Sequence, residues 1–332
     1  MNTLKEDFKP DFVVLNGKIT KFNKAKISIM SPGFTFAISV FEGLRGYWNK
    51  EKKILYIFRL KDHLDRLNFS IKTIALDSPN TNNFEIQLVN LIKKNNLKDN
   101  LYIRIQVYAD DWGSMFSKGP IGSSIISYPR PRTDGYFKGR KFAVSSWRRN
   151  SEDTSPPRIK TTGNYFNGRL AGLEAIRNGY DGSIILNNYG CISEGPAGCI
   201  FIIREGKIIT PSISSGILES ITRDTIIKLA NSELKIDVIQ RSIGRTELYL
   251  AEEVFYCGTA MEIIPILSVD NILIGSGKPG LITRKIQKIY DNIIFGLNDK
   301  YIKWLTPIQF NWINLEIEEA VYSLYHISFN LL

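Results

Sequence analysis

Histidine and cysteine are scarce in this chain of 332 residues: His63 and His326, and Cys191, Cys199 and Cys257. No two cysteines form a C-x-x-C pair, and an odd, scattered set argues against a disulfide scaffold. The same scatter argues against a zinc site, so no metal is expected. A Ser-His-Asp arrangement has little to draw on, since His63 falls in a helix-like run and His326 lies near the end. Any proton transfer therefore falls to lysine, carboxylate or tyrosine. No apolar run reaches the roughly 20 residues needed to cross a membrane. The start, MNTLKEDFKPDFVVLNGK, has no apolar core followed by a small-residue cleavage site, and the expected location is cytoplasmic, with no membrane partner. Acidic residues are outnumbered, leaving a net charge of +10. The basic residues are nevertheless dispersed among acids, and the densest run, GRKFAVSSWRRN, has none of the spacings of a nucleic-acid module. A solvated basic surface acting on small anionic substrates, with no nucleic-acid partner, fits better.

Strand and helix signals are clustered rather than strictly alternating. DFVVLNGKITKF reads as two strands about an Asn-Gly turn, and SVFEGLRGYWNKEKKILYIF as another pair. Leu64, Leu67, Ile71 and Ile74 have helical spacing, as does NFEIQLVNLIKK. LYIRIQVYA is a strand with Tyr102, Arg104, Gln106 and Tyr108 on one face. RPRTDGYFKG interrupts the pattern and marks a linker over 131–138, between a small N-terminal α/β domain (1–130) and a larger domain (139–308). Residues 309–332 form an extension with helical spacing at Ile313, Ile317, Val321 and Leu324. The class is α+β. GSGKPG, Gly275 to Gly280, matches a dinucleotide fingerprint, but no second strand and no acid about 20 residues on follow it, so it reads as a tight turn before a helix.

Four stretches carry candidate chemistry. Lys160 opens KTTGNY between prolines and a helix; a lysine that forms a Schiff base must be able to lose its charge. Glu194, in CISEGPAGC, sits where a strand ends and can pair with a protonated ring nitrogen. SITRD places Ser220 or Thr222 at a helix start, an anion site in waiting. CGTAME offers a hydroxyl and turn N–H groups. Taken singly, each is an ordinary surface lysine, turn or cap.

In this order, with MSPGFTFAISVFEGLRGY and IFRLKDHLDRL upstream and WLTPI at 304–308, the chain resembles the class IV (fold-type IV) aminotransferases, which use pyridoxal 5'-phosphate (PLP). It is most similar to the branched-chain amino acid aminotransferases. The resemblance implies a two-domain D-amino-acid-aminotransferase-like fold with PLP in the cleft between domains, and a homodimer or higher homo-oligomer. It implies amino acid and 2-oxo acid substrates: a branched-chain L-amino acid with 2-oxoglutarate by default. Lys160 would form the Schiff base and shuttle the proton. Tyr165 would contact the ring oxygen and Glu194 the ring nitrogen. Arg66, Ile221, Thr222 and Thr259 would hold the phosphate. Phe36, Phe41, Gly43, Arg45, Tyr102, Arg104, Arg130, Gly258 and Ala260 would bind substrate, with Arg104 receiving a glutamate side chain. The chain departs from the pattern at Phe36-Ala37, where Tyr-Gly is usual, at Cys199, at Ser220 and at Arg130. These departures touch the pocket more than the cofactor. They keep open a lyase of the aminodeoxychorismate type, an aminotransferase for a D-amino acid or a biosynthetic intermediate, and a non-catalytic binding protein.

Overall fold

The computed structural model describes residues 8–77 and 83–310. Its strands form two sheets. The first runs Leu305–Gln309, Ile54–Phe58, Ser39–Asn49, Leu101–Ala109, Ile121–Pro129, Phe12–Leu15, Lys18–Lys21, antiparallel at every step. The second runs Val238–Gln240, Lys207–Thr210, Cys199–Arg204, Glu253–Gly258, Glu262–Val269, Arg140–Arg148, Gly182–Leu186, with Ile272–Leu273 added on Glu262–Val269. Its pairings are mixed: Lys207–Thr210 with Val238–Gln240, Glu262–Val269 with Arg140–Arg148 and Arg140–Arg148 with Gly182–Leu186 are parallel, and the others antiparallel. The α+β class is as expected. The last described strand pairs with Ile54–Phe58, so the chain returns to the first sheet after building the second.

The Asn-Gly turn forms as read: Asn16 and Gly17 both have positive φ, 49° and 79°, joining the first two strands. Helices Leu60–Thr73 and Phe84–Lys94 bury Leu67, Ile71, Leu88 and Leu91 against Leu44, Leu55, Ile103 and Ile105 of the first sheet. The second sheet is covered on both faces. Phe201, Phe255 and Ile263 pack on Ile286, Tyr290 and Ile293 of helix Leu281–Ile294, while Ile200, Ile202, Val254 and Ile264 face a separate core. That double burial is why CIFIIR and EVFYCG read as continuous apolar runs rather than alternating ones.

Helix Leu60–Thr73 departs instructively from its apolar pattern. Leu64 is only half-buried, while His63 and Ser70 are buried. This inner face looks onto the sheet edge where the polar partners of those side chains lie. The 131–138 segment is a fixed connection. Arg132 Nε donates to Glu262 at 2.6 Å and Nη1 to Asp291 at 3.1 Å, and Tyr136 in the short helix Asp134–Lys138 donates to Asp291 at 2.8 Å.

GSGKPG is a turn before helix Leu281–Ile294. Gly275 has φ +51°, and a Cβ there would lie 2.3 Å from the Glu252 carbonyl oxygen. The following helix start is already occupied: the Glu253 carboxylate accepts the N–H groups of Ile282 and Thr283, each at 2.8 Å. The helical spacing read at 313–324 lies outside the described residues. Among the described residues, no helix is long and apolar enough to cross a membrane.

Candidate active site

The segment carrying Lys160 is laced to the start of strand Ser39–Asn49. Phe41 N–H donates to the Lys160 carbonyl at 3.1 Å, Thr162 N–H to Ser39 at 3.0 Å, and Lys160 N–H to Ser70 Oγ at 3.2 Å. Asn164, the first residue of helix Asn164–Arg177, ties down the proline-rich approach by donating to the carbonyls of Pro156 (3.0 Å) and Ile159 (3.1 Å). These contacts bury the lysine, which is 8% exposed. Its Nζ donates to Tyr165 Oη at 2.8 Å and sits 5.0 Å from the centre of the Phe41 ring. A lysine turned inward beside a phenol, with aromatic walls, is no solvated surface residue.

Glu194 follows a strand end on the other side of the cleft and is 3% exposed. Arg149 Nη2 lies 2.6 Å from its Oε1, the Leu218 N–H donates to the same oxygen at 3.3 Å, and Cys199 Sγ lies 3.8 Å from Oε2. Burial pushes the carboxyl's pKa up, against the opposing pull of Arg149. The Cys199 thiol is also pushed well up by burial, so it remains a thiol and a weak donor. Arg149 was hidden in the basic run SSWRRN, read as surface. Its only signal is position: a polar residue just past the strand Arg140–Arg148, whose inward neighbour Ser145 is also buried.

A third corner gathers groups suited to an anion. Arg66 projects from helix Leu60–Thr73, and Ser220 caps helix Ile221–Leu229 by accepting the Arg223 N–H at 3.3 Å. Helix starts leave N–H groups free. Arg66 Nη1 donates to the Glu219 carbonyl at 2.7 Å, and Arg59, the residue just before the same helix, pairs with Asp224 and donates to Thr225 Oγ1 at 3.1 Å. Two arginines, one in that helix and one just before it, thus fix the start of another.

The remaining wall is aromatic and cationic. Phe41 and Tyr165 rings lie 4.9 Å apart, and the Arg104 guanidinium stacks 3.8 Å over Phe41. Gly43 leaves the room that Tyr102 fills; a Cβ there would come 2.4 Å from Tyr102 Oη. Burial pushes the Tyr102 hydroxyl up to about 12, so it stays protonated. Arg130 stacks behind, 5.2 Å over the Tyr102 ring.

One cleft is lined by Lys160, Tyr165, Glu194, Arg66 and Thr259, and by Phe41, Gly43, Tyr102, Arg104, Gly258 and Ala260. Five other candidates are not on its lining. Ile221 and Thr222 are buried behind Ser220, Phe36 is 52% exposed, and Arg130 backs Tyr102. Arg45 is fully buried, 3.8 Å from Glu262, with no hydrogen bond to its guanidinium. Arg149, Pro157 and Leu218 line the cleft without having been singled out for it, and Ser220, Cys199 and Asn164 line it with them. Among the described residues no histidine, cysteine or carboxylate cluster could hold a metal.

Residues 39–269 match the model of the amino-transferase class IV family. The chain belongs to that family. It is therefore a transaminase, and its cofactor is PLP. It is 39% identical over 307 residues to a probable branched-chain-amino-acid aminotransferase of Aquifex aeolicus, covering 91% of this chain and 98% of that protein. It is 36% identical over 308 residues to the branched-chain-amino-acid aminotransferase of Escherichia coli K12, covering 90% and 98%. Among solved structures it resembles the branched-chain amino acid aminotransferase of Thermobaculum terrenum in its PLP form, with a TM-score of 0.85, 39% identity, and coverage of 90% and 98%. The fold is the two-sheet fold of this family.

The donor set suits PLP. The cleft offers an amine at Lys160, a buried basic carboxylate at Glu194, and an arginine beside a helix start. These match an aldehyde, a ring nitrogen and a phosphate respectively.

Proposed function

We propose that this chain transfers the amino group of a branched-chain L-amino acid to 2-oxoglutarate, with Lys160 as the residue that bonds the cofactor and moves the proton. The observation that carries the reading is Lys160 Nζ held 2.8 Å from Tyr165 Oη in a cleft that also contains Glu194 and Arg66. Bound PLP supplies the electron sink that makes loss of the substrate's Cα proton feasible. Lys160 Nζ is placed to take that proton and hand it back, and Tyr165 Oη, 2.8 Å away, steadies the amine. Glu194, made more basic by burial, holds a proton at the ring nitrogen, and Arg149 keeps the carboxylate aimed. Arg66 and the start of helix Ile221–Leu229 take the phosphate, with the Thr259 hydroxyl. The turn N–H groups at Thr259 and Ala260 take the substrate carboxylate.

Phe41 and Tyr165 provide apolar contact for a leucine-like side chain, and Arg104 provides a partner for the second carboxylate of glutamate. The branched-chain activity for which the relatives are named supports the assignment. A second reading has one observation in its favour. Arg104 lines the cleft beside Tyr102 and Arg130 stacks behind that ring, which suits an acidic or bulkier donor. Assay of L-leucine, L-isoleucine, L-valine, L-aspartate and D-alanine against 2-oxoglutarate separates these readings. Turnover of the branched-chain set supports ours; selective turnover of D-alanine or of acidic donors sinks it, as does pyruvate release without an acceptor.

Exposed apolar side chains sit on two adjoining segments: Ile29, Phe34 and Phe36, and Trp112 and Phe116. Ser31 Oγ joins the segments by donating to the Ala109 carbonyl at 2.6 Å. We read this face as covered by a second copy of the chain, and light scattering at a dimer mass is the expected outcome.

A further inference from the structure

Glu42 is 0% exposed, yet it does not line the cleft. Alternation along Ser39–Asn49 turns Phe41 and Gly43 to the cleft and Glu42 to helix Leu60–Thr73. Ionised carboxylates are costly to bury unless every oxygen is partnered. Here Arg66 Nε donates to Oε1 at 2.6 Å, Arg66 Nη2 to Oε2 at 2.8 Å, and His63 Nδ1 lies 2.7 Å from Oε2. A guanidinium has five N–H groups. Glu42 takes two and the Glu219 carbonyl takes a third through Nη1. One N–H on each terminal nitrogen is left, on the only part of the cluster that lines the cleft.

We propose that Glu42 is a positioning residue: it clamps the Arg66 fork so that the two remaining N–H groups are set for a phosphate monoester, and His63 holds Glu42 in register. The inference rests on the reading of the cleft as the PLP site. Burial acts to raise the Glu42 pKa, but Arg66 and His63 outweigh it and hold the group well below the ordinary carboxylate range, so the clamp persists at any working pH. Burial pushes the pKa of His63 down, against Glu42, which keeps the ring neutral near pH 7. An unclamped arginine would have to order its long side chain on binding, and that entropy would be lost from affinity.

The test compares two ligands that differ only in the phosphate. Cofactor-free protein is titrated with PLP and with pyridoxal, following visible absorbance. Glu42→Gln, whose amide sets an NH2 group against the arginine fork, is expected to raise the Kd for PLP about tenfold to a hundredfold. The Kd for pyridoxal is expected to stay within about twofold. Equal weakening of both ligands, or of neither, overturns the proposal in favour of a general packing role. If Glu42→Gln does not fold, His63→Gln keeps the ion pair and is expected to show a smaller loss confined to PLP; equal loss on both ligands again overturns it. If wild type develops no absorbance with either ligand, the reading of Lys160 fails instead. Inorganic phosphate binding by calorimetry then decides for Glu42: weaker in Glu42→Gln supports the clamp, and unchanged binding overturns it.

Discussion

The cofactor end and the substrate wall of the cleft are built differently. At the cofactor end, charged groups are buried and tied to one another at 2.6–2.8 Å: Glu42 with Arg66, and Arg149 with Glu194. At the substrate wall the cations stack on rings at 3.8 and 5.2 Å, and the Arg104 Nε has only a side-chain amide partner, Gln106 at 3.0 Å. Buried ion pairs are unforgiving, because removing one member strands the other. Ring-stacked arginines lose little when replaced. The first region defines a chemistry and the second a preference.

The sharpest way to break this contrast is at Lys160. Lys160→Ala is expected to lower kcat by about 10⁴-fold or more, since both the covalent hold and the proton carrier are lost. Arg149→Met comes next. It strands Glu194 and is expected to cost about 3–5 kcal/mol of stability in chemical denaturation, whereas Arg130→Met should cost under about 1 kcal/mol. Comparable losses at the two sites would erase the distinction drawn here.

Acid titration of stability tests the same cluster. Both His63 and Glu42 have pKa values lowered in the folded state, so each contributes stability at neutral pH that is lost on acidification. The loss should begin below about pH 6.5 with His63 and steepen below about pH 4.3 as unfolded chains protonate at Glu42. Thermal melts of His63→Gln should show the upper part of the slope flattened; an unchanged slope would mean His63 carries no linkage.

Arg104→Ala sharpens the contrast from the other side. Activity with L-glutamate should fall about tenfold to a hundredfold, the scale of a charged hydrogen bond, with L-leucine changed by less than about threefold. The smallest effect belongs to Arg130→Trp, which swaps one stacking partner of Tyr102 for another and should shift the leucine-to-glutamate ratio by about two- to fivefold.

The same division governs what could be read from the chain. Lys160, Glu194, Ser220 and Thr259 stand in short runs whose order along the chain carries the family resemblance. Arg149 escaped because a buried arginine and a solvated one look alike in a basic run; only the fold brings it to Glu194. Glu42 escaped because its neighbours Phe41 and Gly43 carry the motif, and its partner His63 is 21 residues away. Arg45 was expected on the pocket wall from the family resemblance. It instead lies buried against Glu262, since the cleft ends before that point on the strand. The α+β class and the individual hairpins were legible locally. The return of Leu305–Gln309 to the first sheet was not, because nothing in LTPIQ names the partner strand.

The central claim is that the cofactor end is built around Lys160. Borohydride reduction of the PLP-loaded protein, followed by peptide mass mapping, tests it most directly. A phosphopyridoxyl group on Lys160 is the predicted result; the group on any other lysine, or on none, would contradict the account.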